Sequence, residues 1–274
     1  MFGRRRIEYK TDEQLRTMVR AGIATSRALD AAVQAAVPGA TTAAIDAAFR
    51  AVLEAYGATS NFLGYHGYPA TVCVSVNDEV VHAIPGERIL AAGDIVSIDG
   101  GAMVDGFNGD SARTVILGTP SREDQLLSDV TRDAMWHGIA AMATGTHVGD
   151  IGVAIETRVR ELVGQKFGIV QDYVGHGIGS RMHMAPDVPN YRTGHRGEAL
   201  KPGICLAIEP MLVTGSTETT VLADEWTVVT NDGGHACQWE HSVALHKGGL
   251  WVLTAEDGGA ADLEPLGVSP VPVA

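Results

Sequence analysis

The chain opens with a helical rhythm and then abandons it. Leu15, Met18, Val19, Gly22 and Ile23 recur at three- and four-residue intervals, so residues 11–37 read as an amphipathic helix stopped by Pro38-Gly39. Ile45, Phe49, Val52, Leu53 and Tyr56 repeat the spacing and predict a second helix over 42–56. Short β-branched runs then take over at 71–76, 95–98, 113–117, 204–208, 226–229 and 242–245, set among glycine-rich turns. Two further helices are expected at 122–143 and 148–167, which makes the chain α+β. The Gly-, Ala- and Pro-rich stretch 254–274 reads as a flexible C-terminal tail.

This order occurs twice. Gly93-Asp94-Ile95-Val96-Ser97-Ile98-Asp99 aligns with Gly203-Ile204-Cys205-Leu206-Ala207-Ile208-Glu209. Gly39-Ala40-Thr41-Thr42 aligns with Gly145-Thr146-His147-Val148 at nearly the same shift. One domain over 1–253 is expected, built from halves of about 11–120 and 121–247 around a pseudo-twofold axis. Such an axis gives Asp99 and Glu209 related positions, each at the end of an apolar strand.

Composition narrows the function. The 274 residues are 45% apolar and 19% charged, an ordinary globular balance. No apolar run approaches the ~20 residues needed to cross a bilayer. Residues 1–6 are basic but have no apolar stretch behind them, so a secretory signal is not expected. A net charge of −13 argues against nucleic-acid binding, which needs a basic footprint. Cys73, Cys205 and Cys237 form no CxxC and no disulfide framework, which points to reduced thiols and a cytoplasmic location.

The acids carry the chemistry. Asp105-Gly106 is a strong two-residue hairpin signal. Counting outward from Val104 and Phe107 sets Asp110 opposite Gly101, on the same face as Asp99 because side chains alternate along a strand. The two carboxylates then lie diagonally, at roughly 7–8 Å or less between Cβ atoms. A lone strand aspartate is ordinarily a turn or edge residue; a same-face pair after an apolar run points to a cation. His176 stands between glycines in Val174-Gly175-His176-Gly177-Ile178-Gly179, which gives its ring room to reach a ligand. Glu209 and Glu240 flank apolar runs, where a glutamate is costly unless paired or metal-bound.

The order Asp, Asp, His, Glu, Glu, with His176 inside Gly-His-Gly-Ile-Gly and Glu209 inside Ile-Glu-Pro, resembles the methionine aminopeptidase family. Further wording supports it: Leu63-Gly64-Tyr65-His66-Gly67-Tyr68-Pro69, Ser75-Val76-Asn77-Asp78-Glu79-Val80-Val81-His82 and Lys201-Pro202-Gly203. The resemblance, strongest to type I members, spans about residues 7–247. It implies the duplicated pita-bread (creatinase/aminopeptidase) fold, a pseudo-twofold antiparallel sheet with helices outside. It implies two divalent ions (Co, Mn, Fe or Zn): Asp99 chelates one, Asp110 and Glu240 bridge both, and His176 and Glu209 complete the other. A water shared by the ions is then the nucleophile, with Glu209 shuttling its proton to the leaving amine. His183 corresponds to the residue that steadies the oxyanion, and His82 to the one near the scissile nitrogen.

By the same resemblance Phe62, Tyr65, Tyr68, Cys73, His82, Met182 and Trp226 line a narrow pocket suited to a methionine side chain. The implied substrates are peptides and nascent chains with N-terminal methionine and a small second residue, met by a cytoplasmic monomer in transient contact with the ribosome. Three departures touch no ligand: Asn108 where the family has His, Ala83 where it has Gly, and Met184-Ala185 where it has acids. Two other readings stay open, an Xaa-Pro peptidase of the same fold and a non-catalytic binding module.

Overall fold

A computed structural model describes residues 7–274. The basic start over residues 1–6, read above for a secretory signal, lies outside the described residues. Thr11 caps helix α1 (Asp12–Ala35) with a reciprocal bond to Gln14, and Asp12 and Glu13 complement the helix dipole in the first turn. Thr41 caps α2 (Thr42–Tyr56), which ends at Gly57 in the left-handed conformation. Helices α3 (Arg122–Thr144) and α4 (Gly149–Val163) follow further along the chain. Helix α4 stops short of the expected 167 because Gly164, at φ 58°, breaks it and lets Phe167 turn into the core.

The main sheet has nine strands: β1 (Thr59–Ser60), β2 (Val72–Val76), β3 (Ile95–Val104), β4 (Phe107–Ile116), β5 (Gly175–Gly177), β6 (Met184–Val188), β7 (Ile204–Ile208), β8 (Glu240–His246) and β9 (Gly249–Val252). Their order is β1-β3-β4-β8-β7-β5-β6, with β2 also on β3 and β9 also on β8. The centre reads β3-β4 then β8-β7, symmetric about the β4/β8 junction, as a duplication requires. Two smaller sheets of three strands each stand beside it.

Each helix pair covers one half. Ala28, Leu29, Ile45 and Phe49 pack on Val72, Val74, Val96 and Ile98. Leu127, Ile139, Ile151 and Ile155 pack on Leu206, Ile208 and Val243. Burying each such large side chain stabilises by ~1.5–3 kcal/mol. Helix α1 lies closest to the sheet. A Cβ on Gly22 would stand 2.1 Å from the Leu253 carbonyl oxygen, and one on Gly109 would stand 2.7 Å from the Gly22 nitrogen. Thr25 seals the contact, donating to the Gly109 carbonyl at 3.2 Å and accepting from the Ala102 N–H at 3.0 Å.

Residues 254–274, expected as a mobile tail, are instead laid against the body. Leu263 is fully buried, the Val271 N–H donates to the Leu250 carbonyl at 2.9 Å, and His246 Nε2 meets the Val271 carbonyl at 2.8 Å. Gly258 and Gly259, both at positive φ, let the chain turn closely over Trp251 and Trp136. A composition that reads as disorder thus carries just enough apolar anchors to dock.

Candidate metal centre

The β3–β4 hairpin forms as its turn chemistry dictates. Asp105 and Gly106 both take positive φ (47° and 79°), Val104 pairs with Phe107, and Asp110 falls opposite Gly101. Register then aligns the acids. Ala112 pairs with Asp99 on one side and with Glu240 on the other. On β7, Ala207 pairs with both Ser242 and His176. Paired residues share a face and alternate residues return to it, so Asp99, Asp110, Glu240, Ser242, His176 and Glu209 all project to one side. His241 points the other way, against Trp136 at 4.9 Å between ring centroids.

All five predicted ligands converge. Asp99, Asp110 and Glu240 bring ligand atoms within 4.8 Å of one another; His176, Glu209 and Glu240 do the same, so Glu240 belongs to both groups. Asp110, His176 and His183 form a third such group. One carboxylate oxygen on each of Asp99, Asp110 and Glu240 is buried with no hydrogen-bond partner. Orphaned carboxylate oxygens are costly, and a cation between them removes the cost. Burial pushes the Asp99 carboxyl up, and burial together with neighbouring acids pushes Asp110, Glu209 and Glu240 well above the carboxylate range. Desolvation lowers His176 to about 3, which keeps its ring neutral and able to ligate. The donor set fits hard to borderline divalent ions.

A cavity of about 100 Å³ reaches this cluster, lined by Phe62, Tyr65, Tyr68, Cys73, His82, Met182, His183 and Trp226 with the five ligands. The seven residues named for the pocket thus line one cavity. Tyr68 meets Trp226 edge-on at 5.0 Å and Phe62 at 6.4 Å, which makes apolar walls. Cys73 pairs in register with Asp99 and so shares the ligand face; burial raises its thiol. His82, at φ 63°, stands 5.6 Å from the Tyr173 ring, and burial lowers it to about 4. His183 Nδ1 lies 2.7 Å from the Tyr65 hydroxyl, with its ring 4.2 Å from that of His176.

The sequence reading missed Gln238. Its Nε2 donates at 3.4 Å both to Asp99 and to Glu209, bridging the two halves beside the acids. No pattern in the sequence singles it out; only its place two residues before Glu240 hints at the site.

The sequence matches metallopeptidase family M24 over residues 16–247. The chain belongs to this family. This M24 peptidase is 48% identical to methionine aminopeptidase 1 of Mycobacterium tuberculosis over 256 residues, 92% of this chain and 96% of that protein. It superposes on the crystal structure of a methionine aminopeptidase from Thermotoga maritima with a TM-score of 0.88 at 36% identity, covering 92% of this chain and all of the other. Prolidase from Pyrococcus furiosus, at 20% identity and a TM-score of 0.70, shares the fold. The curled pita-bread sheet with outer helices is thus the architecture of this M24 peptidase, a metallohydrolase by family.

Proposed function

We propose that this protein removes the N-terminal methionine from peptides and nascent chains whose second residue is small. The observation that carries the reading is the orphaned carboxylate cluster in an aromatic-walled pocket. A methionine side chain packs between Tyr68, Phe62 and Trp226, whose edges favour a thioether. The cavity beside the cluster is small, about 100 Å³, which supports an exopeptidase that takes up one side chain.

Asp99, Asp110, His176, Glu209 and Glu240 would hold two divalent ions, drawn from Co, Mn, Fe or Zn, with Asp110 and Glu240 placed to serve both. Ions bound there would supply Lewis-acid polarisation of the scissile carbonyl and would acidify the attacking water. Glu209 takes the proton from that water and delivers it to the leaving amine. A Tyr65 hydroxyl that donates to Nδ1 of His183 leaves the proton on Nε2, free to donate to the developing oxyanion. His82, neutral at ordinary pH, receives a hydrogen bond near the scissile nitrogen. Gln238 orients Asp99 and Glu209.

Three free, buried cysteines support action in the reducing cytoplasm, where the family resemblance implies a monomer working on chains leaving the ribosome. The test is an assay with added Mn²⁺ or Co²⁺ on Met-Ala-Ser and Ala-Pro peptides. Release of methionine from the first alone is expected. Cleavage of Ala-Pro instead would make it an Xaa-Pro peptidase, and silence on both would leave a binding module.

A further inference from the structure

Past Tyr65, Met182 and His183 the metal pocket opens into a second cavity of about 650 Å³, whose wall those three residues share. Its walls come from residues 60–66, the turn end of the β3–β4 hairpin (Met103 and Asn108) and residues 180–185. The protein carries a net charge of −13, yet among the described residues no carboxylate lines this trench. Met184 and Ala185 stand where the aminopeptidase pattern has acids, and among the described residues Arg181 supplies the trench's one fixed charge.

Arg181 is free to act on a ligand. It makes no ion pair among the described residues, and residues 1–6 bring no acidic side chain. Glu8, which reaches the neighbouring Ser180, is engaged by that residue's N–H at 3.0 Å and by its hydroxyl, with Lys10 Nζ at 3.6 Å. The Arg181 charge is felt at Tyr65, where the two cavities join: burial raises the phenol and the guanidinium draws it back. The segment carrying Arg181 is anchored. Asn108 donates to the Gly179 carbonyl through its side chain at 2.8 Å and its backbone at 3.0 Å, and the Gly179 N–H donates to the Arg181 carbonyl at 3.1 Å. Asn108, itself a departure from the family pattern, ties this wall to β4.

We propose that the trench receives the two residues that follow the new N-terminus, and that Arg181 selects substrates with a carboxylate there. This rests on the aminopeptidase reading and adds a substrate class to it: methionine, a small residue, then aspartate or glutamate. A partly solvated pair of this kind changes selectivity by about two- to fivefold. Because it is made equally in ground and transition states, it acts on KM rather than kcat.

The experiment compares Met-Ala-Asp-Ser with Met-Ala-Asn-Ser, and Met-Ala-Ser-Asp with Met-Ala-Ser-Asn, all as amides, on the Mn²⁺-loaded enzyme. An Asp-over-Asn preference of about two- to fivefold in kcat/KM is expected in at least one pair, carried by KM and shrinking with added salt. Arg181→Gln should abolish that ratio and Arg181→Lys should keep part of it; using the ratio cancels any general loss of activity. Equal cleavage of Asp and Asn peptides, or a preference that survives Arg181→Gln, overturns the selectivity and leaves the aminopeptidase reading intact. No methionine released from any of the four overturns both.

Discussion

Asp99 and Glu240 stand on either side of Ala112, which is the register partner of both. The methyl group of Ala112 is all that separates two carboxylates on the ligand face, and it leaves the space above them open. Ala112→Val would push branched bulk into that space. Metal affinity should drop by about tenfold or more, as for changes around a ligand shell, with an overpacking cost of about 1–3 kcal/mol. Calorimetric Mn²⁺ titration measures it, and unchanged affinity would show that the ions do not sit above Ala112.

Glu209→Gln separates chemistry from folding. Turnover of Met-Ala-Ser should vanish, because an amide cannot shuttle the proton. Without metal the variant should melt higher than the parent, since one of the buried, mutually repelling acids is gone. Residual turnover would remove Glu209 from its proposed role.

The acids also set a pH dependence. In the absence of a cation, burial raises Asp99 to about 7, and burial with the neighbouring acids lifts Asp110, Glu209 and Glu240 well above the ordinary carboxylate range. A carboxyl whose folded value exceeds its unfolded value binds more protons when folded. Its contribution to stability is therefore complete below the unfolded value of about 4 and is lost as pH rises through the folded one. The metal-free protein should melt at a lower temperature at pH 8 than at pH 5, and saturating Mn²⁺ should flatten or reverse the trend. A melting temperature that climbs with pH in the chelated protein would contradict this.

Gly22→Ala probes the seat of α1. The added methyl meets the Leu253 carbonyl oxygen at 2.1 Å, backbone that cannot swing aside. A loss of about 1–3 kcal/mol is expected from urea unfolding. A neutral substitution would mean that the helix can ride outward without cost.

How far the sequence reached depended on how local each signal was. The Asp99–Asp110 geometry followed from one turn, because Asp105-Gly106 fixes register over the whole hairpin. The first two helices were legible from spacing, the first also from its Pro38-Gly39 stop, whereas α4 was overrun because the broad periodic signal outweighed a single Gly164. His176, Glu209 and Glu240 were legible as ligands only through the repeat and the family wording, since their convergence is made by pairings distant in sequence. Gln238 stayed hidden because a lone buried amide has no pattern. The docking of residues 254–274 was missed because Leu263 and Val271 are too few to outweigh the composition around them. The trench beside the pocket was invisible for the same reason as the cluster, its walls being drawn from three separate stretches.

Strands β3 and β4 are joined along ten register pairs, but β4 and β8 meet through only two, Glu240 with Ala112 and His241 with Ser111. That thin seam is where the duplicated halves join within the sheet, and the proposed ligands straddle it: Asp99 and Asp110 from one half, His176, Glu209 and Glu240 from the other. A bound cation is therefore also a rivet. Drawing it out with a chelator should unzip amide protection first along β4 and β8, while the hairpin and the outer helices keep theirs.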